Sequence, residues 1–163
     1  DAGAEVIGIE PSRHMLPHAE RRREELRFPD KVTLHNVGCS YPEMERMFAP
    51  ESLDAVVCTL VLCTVPEPER AVANFMEWLK PNGRLLLLEH IRSERPVGAL
   101  LQNVANPLWR KLGEGCNLNR ATDRLVVQAG FEVIRERKFN LGLPFLEGVY
   151  RKPQRERRPP PTD

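Results

Sequence analysis

Two apolar runs, 53–65 and 84–91, lack the period-two alternation of a half-exposed strand. Between them lie a polar Pro-Glu-Pro-Glu-Arg loop, a segment carrying Ala71, Val72, Phe75, Met76 and Leu79 on one face, and a Lys-Pro-Asn-Gly turn. Unbroken apolar strands mark parallel strands covered on both faces, which would put Val56 and Val57 in a core. The helical spacing of the middle segment predicts a helix over 69–79, stopped by Asn82-Gly83. The unit is a βαβ crossover. Sheets built from such units bind ligands beyond the carboxyl ends of their strands. Those ends are residues 58–63 and the pair Glu89 and His90.

The rest of the chain fits around this unit. Residues 5–9 form a short strand ending at Glu10, and Pro11 suits the first position of a helix over 12–26. Pro17 should kink or shorten that helix. A strand is expected over 31–37, then a loop over 38–50 with a helical turn near 44–48. Residues 92–120 make a long connection, partly helical over 97–112 and broken by Pro107. Connections of this length in a compact domain are usually functional. A helix over 121–129 stops at Gly130, and 131–139 with 148–152 read as a last strand pair. The expected fold class is α/β: a Rossmann-like, doubly wound, mostly parallel sheet with a terminal antiparallel pair. The domain should span 1–150, with a basic, Pro-rich, disordered tail over 151–163.

Composition narrows the function. A chain of 163 residues, 41% hydrophobic and 29% charged, can bury one real core. A net charge of +1 argues against nucleic-acid binding driven by bulk charge. No apolar run reaches the ~18 residues of a membrane span. The four cysteines, Cys39, Cys58, Cys63 and Cys116, include no C-x-x-C pair, so no metal site is expected. They read as reduced thiols of a cytoplasmic protein. His14 and His18 stand four apart, a spacing able to hold a metal, but no third ligand accompanies them and a solvated helix face is expected.

Three stretches carry a family resemblance from about residue 4 to about residue 150. Gly8-Ile-Glu-Pro-Ser12 looks like a second-strand acidic motif. The run Asp54-Ala-Val-Val-Cys-Thr-Leu-Val-Leu-Cys-Thr-Val65, with Leu79-Lys-Pro-Asn-Gly-Arg84 and Leu88-Glu-His90, looks like a fourth- and fifth-strand block. Gly115-Cys-Asn-Leu-Asn-Arg120 looks like an insertion motif. Together they resemble the class I S-adenosylmethionine-dependent methyltransferases, in particular the methyltransferase-like protein 7, or thiol methyltransferase, group and its bacterial relatives. The family's first strand and its Gly-rich loop have no counterpart here, so the chain is expected to be truncated at its N-terminus.

The resemblance implies S-adenosyl-L-methionine as cofactor and a small-molecule methyl acceptor, a thiol first and a lipid or quinone-like compound next. Glu10, which can accept bonds from both ribose hydroxyls, would hold the cofactor with Pro11. Gly38 and Cys39 would lie at the adenine, where the family usually has an acid, and Thr59, Leu60 and Val61 against the adenosine. His90 would take the acceptor's proton. Glu89, Trp109, Asn119 and Arg120 would line the acceptor pocket. The alternative is a non-catalytic remnant or binding module of the same fold. A dinucleotide-dependent oxidoreductase shares the Glu10 geometry, but the Lys-Pro-Asn-Gly turn and insertion motif speak against it. The oligomeric state is left open.

Overall fold

A computed structural model describes residues 3–154. The chain divides into two compact units between Met47 and Phe48. The basic tail from residue 155 on lies outside the described residues.

The first unit holds β1 (Val6–Ile9), α1 (Leu16–Glu24) and β2 (Val32–His35). β1 and β2 pair in parallel, with Gly8 opposite Leu34. A Cβ at Gly8 would come within 2.6 Å of the tip of the Leu34 side chain, which would have to turn aside. The helix starts four residues later than the 12–26 pattern predicts. Pro17 explains the shift, because proline is tolerated in the first turn and not further in. Pro11 therefore precedes the helix instead of opening it.

The second unit holds β3 (Leu53–Thr59), α2 (Pro68–Trp78), β4 (Leu79–His90), α3 (Pro96–Leu112), α4 (Thr122–Gln128), β5 (Glu132–Asn140) and β6 (Pro144–Arg151). Its sheet runs β3-β4-β6-β5, parallel between β3 and β4 and antiparallel thereafter. The βαβ crossover and the terminal antiparallel pair are as the pattern predicts. The strands form two sheets, β1-β2 and β3-β4-β6-β5.

That division changes the burial. Among the described residues β3 is an edge strand, bonded to β4 alone, and Val57 is 69% exposed instead of buried. In β4, Leu85, Leu87 and Glu89 are buried while Leu88 is exposed. The strand read as covered on both faces is closed on one.

Two other expectations shift. α3 is one helix through Pro107, not a broken one. A proline inside a helix costs ~3 kcal/mol. Side chains on this helix offset that cost with bonds to its surroundings: Gln102 Oε1 accepts from Ser93 N–H, and Asn106 Oδ1 from Leu118 N–H. α2 ends at Trp78, and residues 79–83 already belong to β4, so Asn82-Gly83 is an irregular turn within the strand and not a helix cap. Asn82 there has φ 64°, a left-handed value that asparagine tolerates.

Candidate functional site

The loop leaving β3 is shaped by one carboxylate. Glu89 is the last residue but one of β4 and is fully buried. Its Oε1 accepts the N–H groups of Val61 at 2.8 Å and Leu62 at 3.0 Å, and its Oε2 accepts that of Cys63 at 3.3 Å. Burial pushes this carboxyl above its ordinary range, and the three N–H donors pull it back. All of its reach goes to the loop, so Glu89 positions backbone and presents nothing to an acceptor.

Arg120 grips the same loop from the other side. Its guanidinium donates to the carbonyls of Leu62 and Val65, and burial lowers its pKa. Asn117 donates its N–H and its side-chain amide to the Cys63 carbonyl, at 2.8 and 3.0 Å. Asn119 bonds Asn103 of α3 at 3.0 Å. Among the four residues expected to face an acceptor, Glu89, Arg120 and Asn119 therefore hold structure. Trp109, on α3, is 40% exposed.

Leu60 opens the loop in the left-handed region, with φ 56°, and its side chain is 48% exposed. Its N–H continues the ladder to the Leu88 carbonyl at 2.9 Å. A leucine in this conformation costs ~1–2 kcal/mol, and such strain collects at ligand-binding positions. Leu60→Gly should relieve it while losing little burial. Urea unfolding of that variant is expected to differ from the parent by less than ~1 kcal/mol, because relief roughly cancels glycine's extra chain entropy. A loss of ~2 kcal/mol or more, as for a core leucine, would mean Leu60 is packed and not poised.

His90 follows Glu89 and is 5% exposed. Its Nε2 meets the Cys116 sulfur at 2.7 Å, and its Nδ1 is buried without a partner among the described residues. Burial, and then the charge of Arg120, lower its pKa. The imidazole is neutral and not open to an acceptor. Cys116 Sγ lies 3.8 Å from Cys63 Sγ. Burial pushes the Cys63 thiol up to about 12. Sequence spacing gave no sign of this cluster.

In the first unit, Glu10 follows β1, half-buried. Its Oε1 accepts the Ser12 N–H at 2.7 Å, and Oε2 has no partner among the described residues. Asn36 donates to the backbone carbonyls of Glu10 and Pro11, fixing the turn after β1 against the end of β2. Gly38 sits under the Tyr41 ring, where a side chain would crowd at 3.1 Å. The Cys39 side chain is buried. Thr59 ends β3 exposed, and Val61 is half-buried.

A family described as a methyltransferase domain matches residues 1–87. The thiol S-methyltransferase TMT1B of Rattus norvegicus is 38% identical over 97 residues, covering 59% of this chain and 40% of that protein. A demethylmenaquinone methyltransferase of Renibacterium salmoninarum is 34% identical over 89 residues, covering 55% of this chain and 33% of that protein. The chain thus spans about 40% of the thiol methyltransferase and less of the second relative. In structure, a SAM-dependent methyltransferase from Methanosarcina mazei superposes with a TM-score of 0.68 at 17% identity, covering 93% of this chain and 84% of that one. At that identity the likeness shows the Rossmann-like α/β fold.

Proposed function

The chain belongs to the methyltransferase domain family, and on that premise we propose that it binds S-adenosyl-L-methionine and serves methyl transfer to a small acceptor, a thiol before a lipid or quinone-like compound. The observation that carries the cofactor assignment is Glu10. One carboxylate oxygen accepts the Ser12 N–H, and the other has no donor among the described residues. A ribose diol supplies such donors, and a carboxylate beyond a parallel strand is where α/β sheets place them. Glu10 therefore fits the group. Pro11 and the backbone at Gly38, in the same unit, belong to the same proposal.

S-adenosylmethionine brings a methyl group already made electrophilic by its sulfonium. The chain's own work is to bind, orient and exclude water. A closed, neutral His90 supports the thiol over acceptors that need a strong base, because a thiol ionises near neutral pH unaided. The thiol S-methyltransferase relative supports the same order of acceptors.

Isothermal titration of the purified chain tests the reading. Saturable binding of S-adenosylmethionine is expected, weakened at least tenfold in Glu10→Ala, as ~1.4 kcal/mol of lost hydrogen bonding implies. Formation of S-adenosylhomocysteine on adding a small alkyl thiol would identify turnover. A folded chain without cofactor binding would refute the proposal. Binding without thiol-dependent product would favour the second reading, a binding module of the same fold. The division of the strands into two sheets supports that alternative.

A further inference from the structure

We propose that Cys63, His90 and Cys116 form a site for a soft divalent metal ion of the zinc class, with three protein ligands and one open position. The three ligand atoms lie within 4.8 Å of one another. Two thiolates bound at ~2.3 Å to a tetrahedral ion stand ~3.8 Å apart. The Cys63 and Cys116 sulfurs are already at that separation, 3.8 Å. An imidazole nitrogen and a thiolate on the same ion stand ~3.5 Å apart. His90 Nε2, now 2.7 Å from Cys116, has to move back by less than ~1 Å.

The donors come from three segments, and each is held from outside the cluster. The Cys63 backbone is fixed by Glu89 and Asn117. His90 lies in β4, paired with Phe145 of β6, whose ring meets the imidazole edge-on. The Cys116 N–H bonds the Gly113 carbonyl at 2.9 Å in the loop after α3. Ligands fixed before the ion arrives are what a metal site requires. Cys63 and His90 are buried and Cys116 is half-buried, which leaves an entry from its side.

Charge supports the same class of ion. Two thiolates and a neutral imidazole cancel a divalent cation, so the loaded cluster carries no net charge into the interior. Thiolates and imidazole select zinc-like ions over magnesium or calcium. Each thiol releases its proton to solvent as the ion binds. Among the described residues, Nδ1 of His90 lacks the outer partner usual for a ligand histidine, which sets the affinity below that of a four-ligand structural site. The inference rests on second-unit side chains alone and does not depend on methyl transfer.

Cobalt(II) is the probe. The reduced, chelator-treated chain is titrated with Co²⁺ and then with Zn²⁺. The expected result is one equivalent bound, with the visible bands of a tetrahedral ion and a near-ultraviolet thiolate-to-cobalt band, both removed by zinc. Cys116→Ser, at the half-buried position, should weaken binding by no less than the ~10–100-fold typical of an outer-shell loss. Cys58→Ser is expected to leave it unchanged. Zinc should also protect two cysteines from alkylation in the unmutated chain, a readout that needs no variant. A folded, reduced chain without the charge-transfer band would overturn the proposal, as would an unchanged band in Cys116→Ser. A chain that forms a Cys63–Cys116 disulfide yet binds no cobalt when reduced would make the cluster a redox pair instead.

Discussion

Glu89→Ala is expected to lower the unfolding free energy by roughly 3 kcal/mol. The carboxylate accepts three backbone N–H groups in a fully buried position. Removing it orphans three donors, each worth ~1–3 kcal/mol when left unsatisfied. Two effects reduce the sum. Water can enter the space vacated, and the carboxylate's own desolvation cost disappears, a cost visible in its raised pKa. The donors outweigh both, because these three N–H groups have no other acceptor among the described residues. Glu89→Gln separates the causes. Its one oxygen can still serve Val61 and Leu62, but its amide turns a donor toward the Cys63 N–H. An intermediate loss is expected. Chemical denaturation of the three proteins decides the matter, and an alanine variant within 1 kcal/mol of the parent would show that the loop holds its shape without the carboxylate.

Trp78→Ala should cost at least as much, ~3–5 kcal/mol. Trp78 ends α2 fully buried, with Phe48 at 5.0 Å and Phe75 at 6.0 Å between ring centroids. Truncation leaves a cavity that these rings cannot close. The indole N–H, however, has no partner among the described residues. A buried unpaired donor already costs ~1–3 kcal/mol. Trp78→Phe removes that donor while keeping an aromatic ring. Its loss should stay well below that of alanine, because the phenyl ring fills part of the space and no donor is left unpaired. If phenylalanine costs as much as alanine, the indole N–H is making a bond that its surroundings do not reveal.

Elements whose pattern is local were legible in the sequence. α2 shows its apolar stripe at Ala71, Val72 and Phe75, and these residues are buried. The terminal strand pair showed itself as two β-rich runs. What the sequence could not show was which strand would stand at an edge. An apolar run such as 54–62 reads as covered on both faces whether or not a second neighbour pairs with it, and Val57 lies open because none does within its sheet. Proline was overread at 107 and helped at 17, since the residue alone does not say whether a helix begins or continues there. The side-chain cluster was illegible for a different reason. Cys63, His90 and Cys116 are separated by 26 to 53 positions, beyond any spacing motif, and only the meeting of one strand end with two loops unites them. Glu89, at a strand end, and Arg120, in the insertion that the resemblance places over the acceptor pocket, are expected from sequence to face an acceptor. Each is instead bonded to the backbone of one loop.

The far end of β6 bears on where this chain can be joined to another. Lys152 is the first residue past the strand, in a stretch whose composition reads as tail. Its ammonium donates to the Leu79 carbonyl at 2.7 Å, just past the end of α2. Its N–H reaches Gly83, and its carbonyl receives the N–H of Asn82. One residue thus clasps the helix end and the irregular turn of β4 together. A fusion or affinity handle spliced at Arg151 would cut through that clasp, whereas one attached beyond Gln154 leaves every described bond intact.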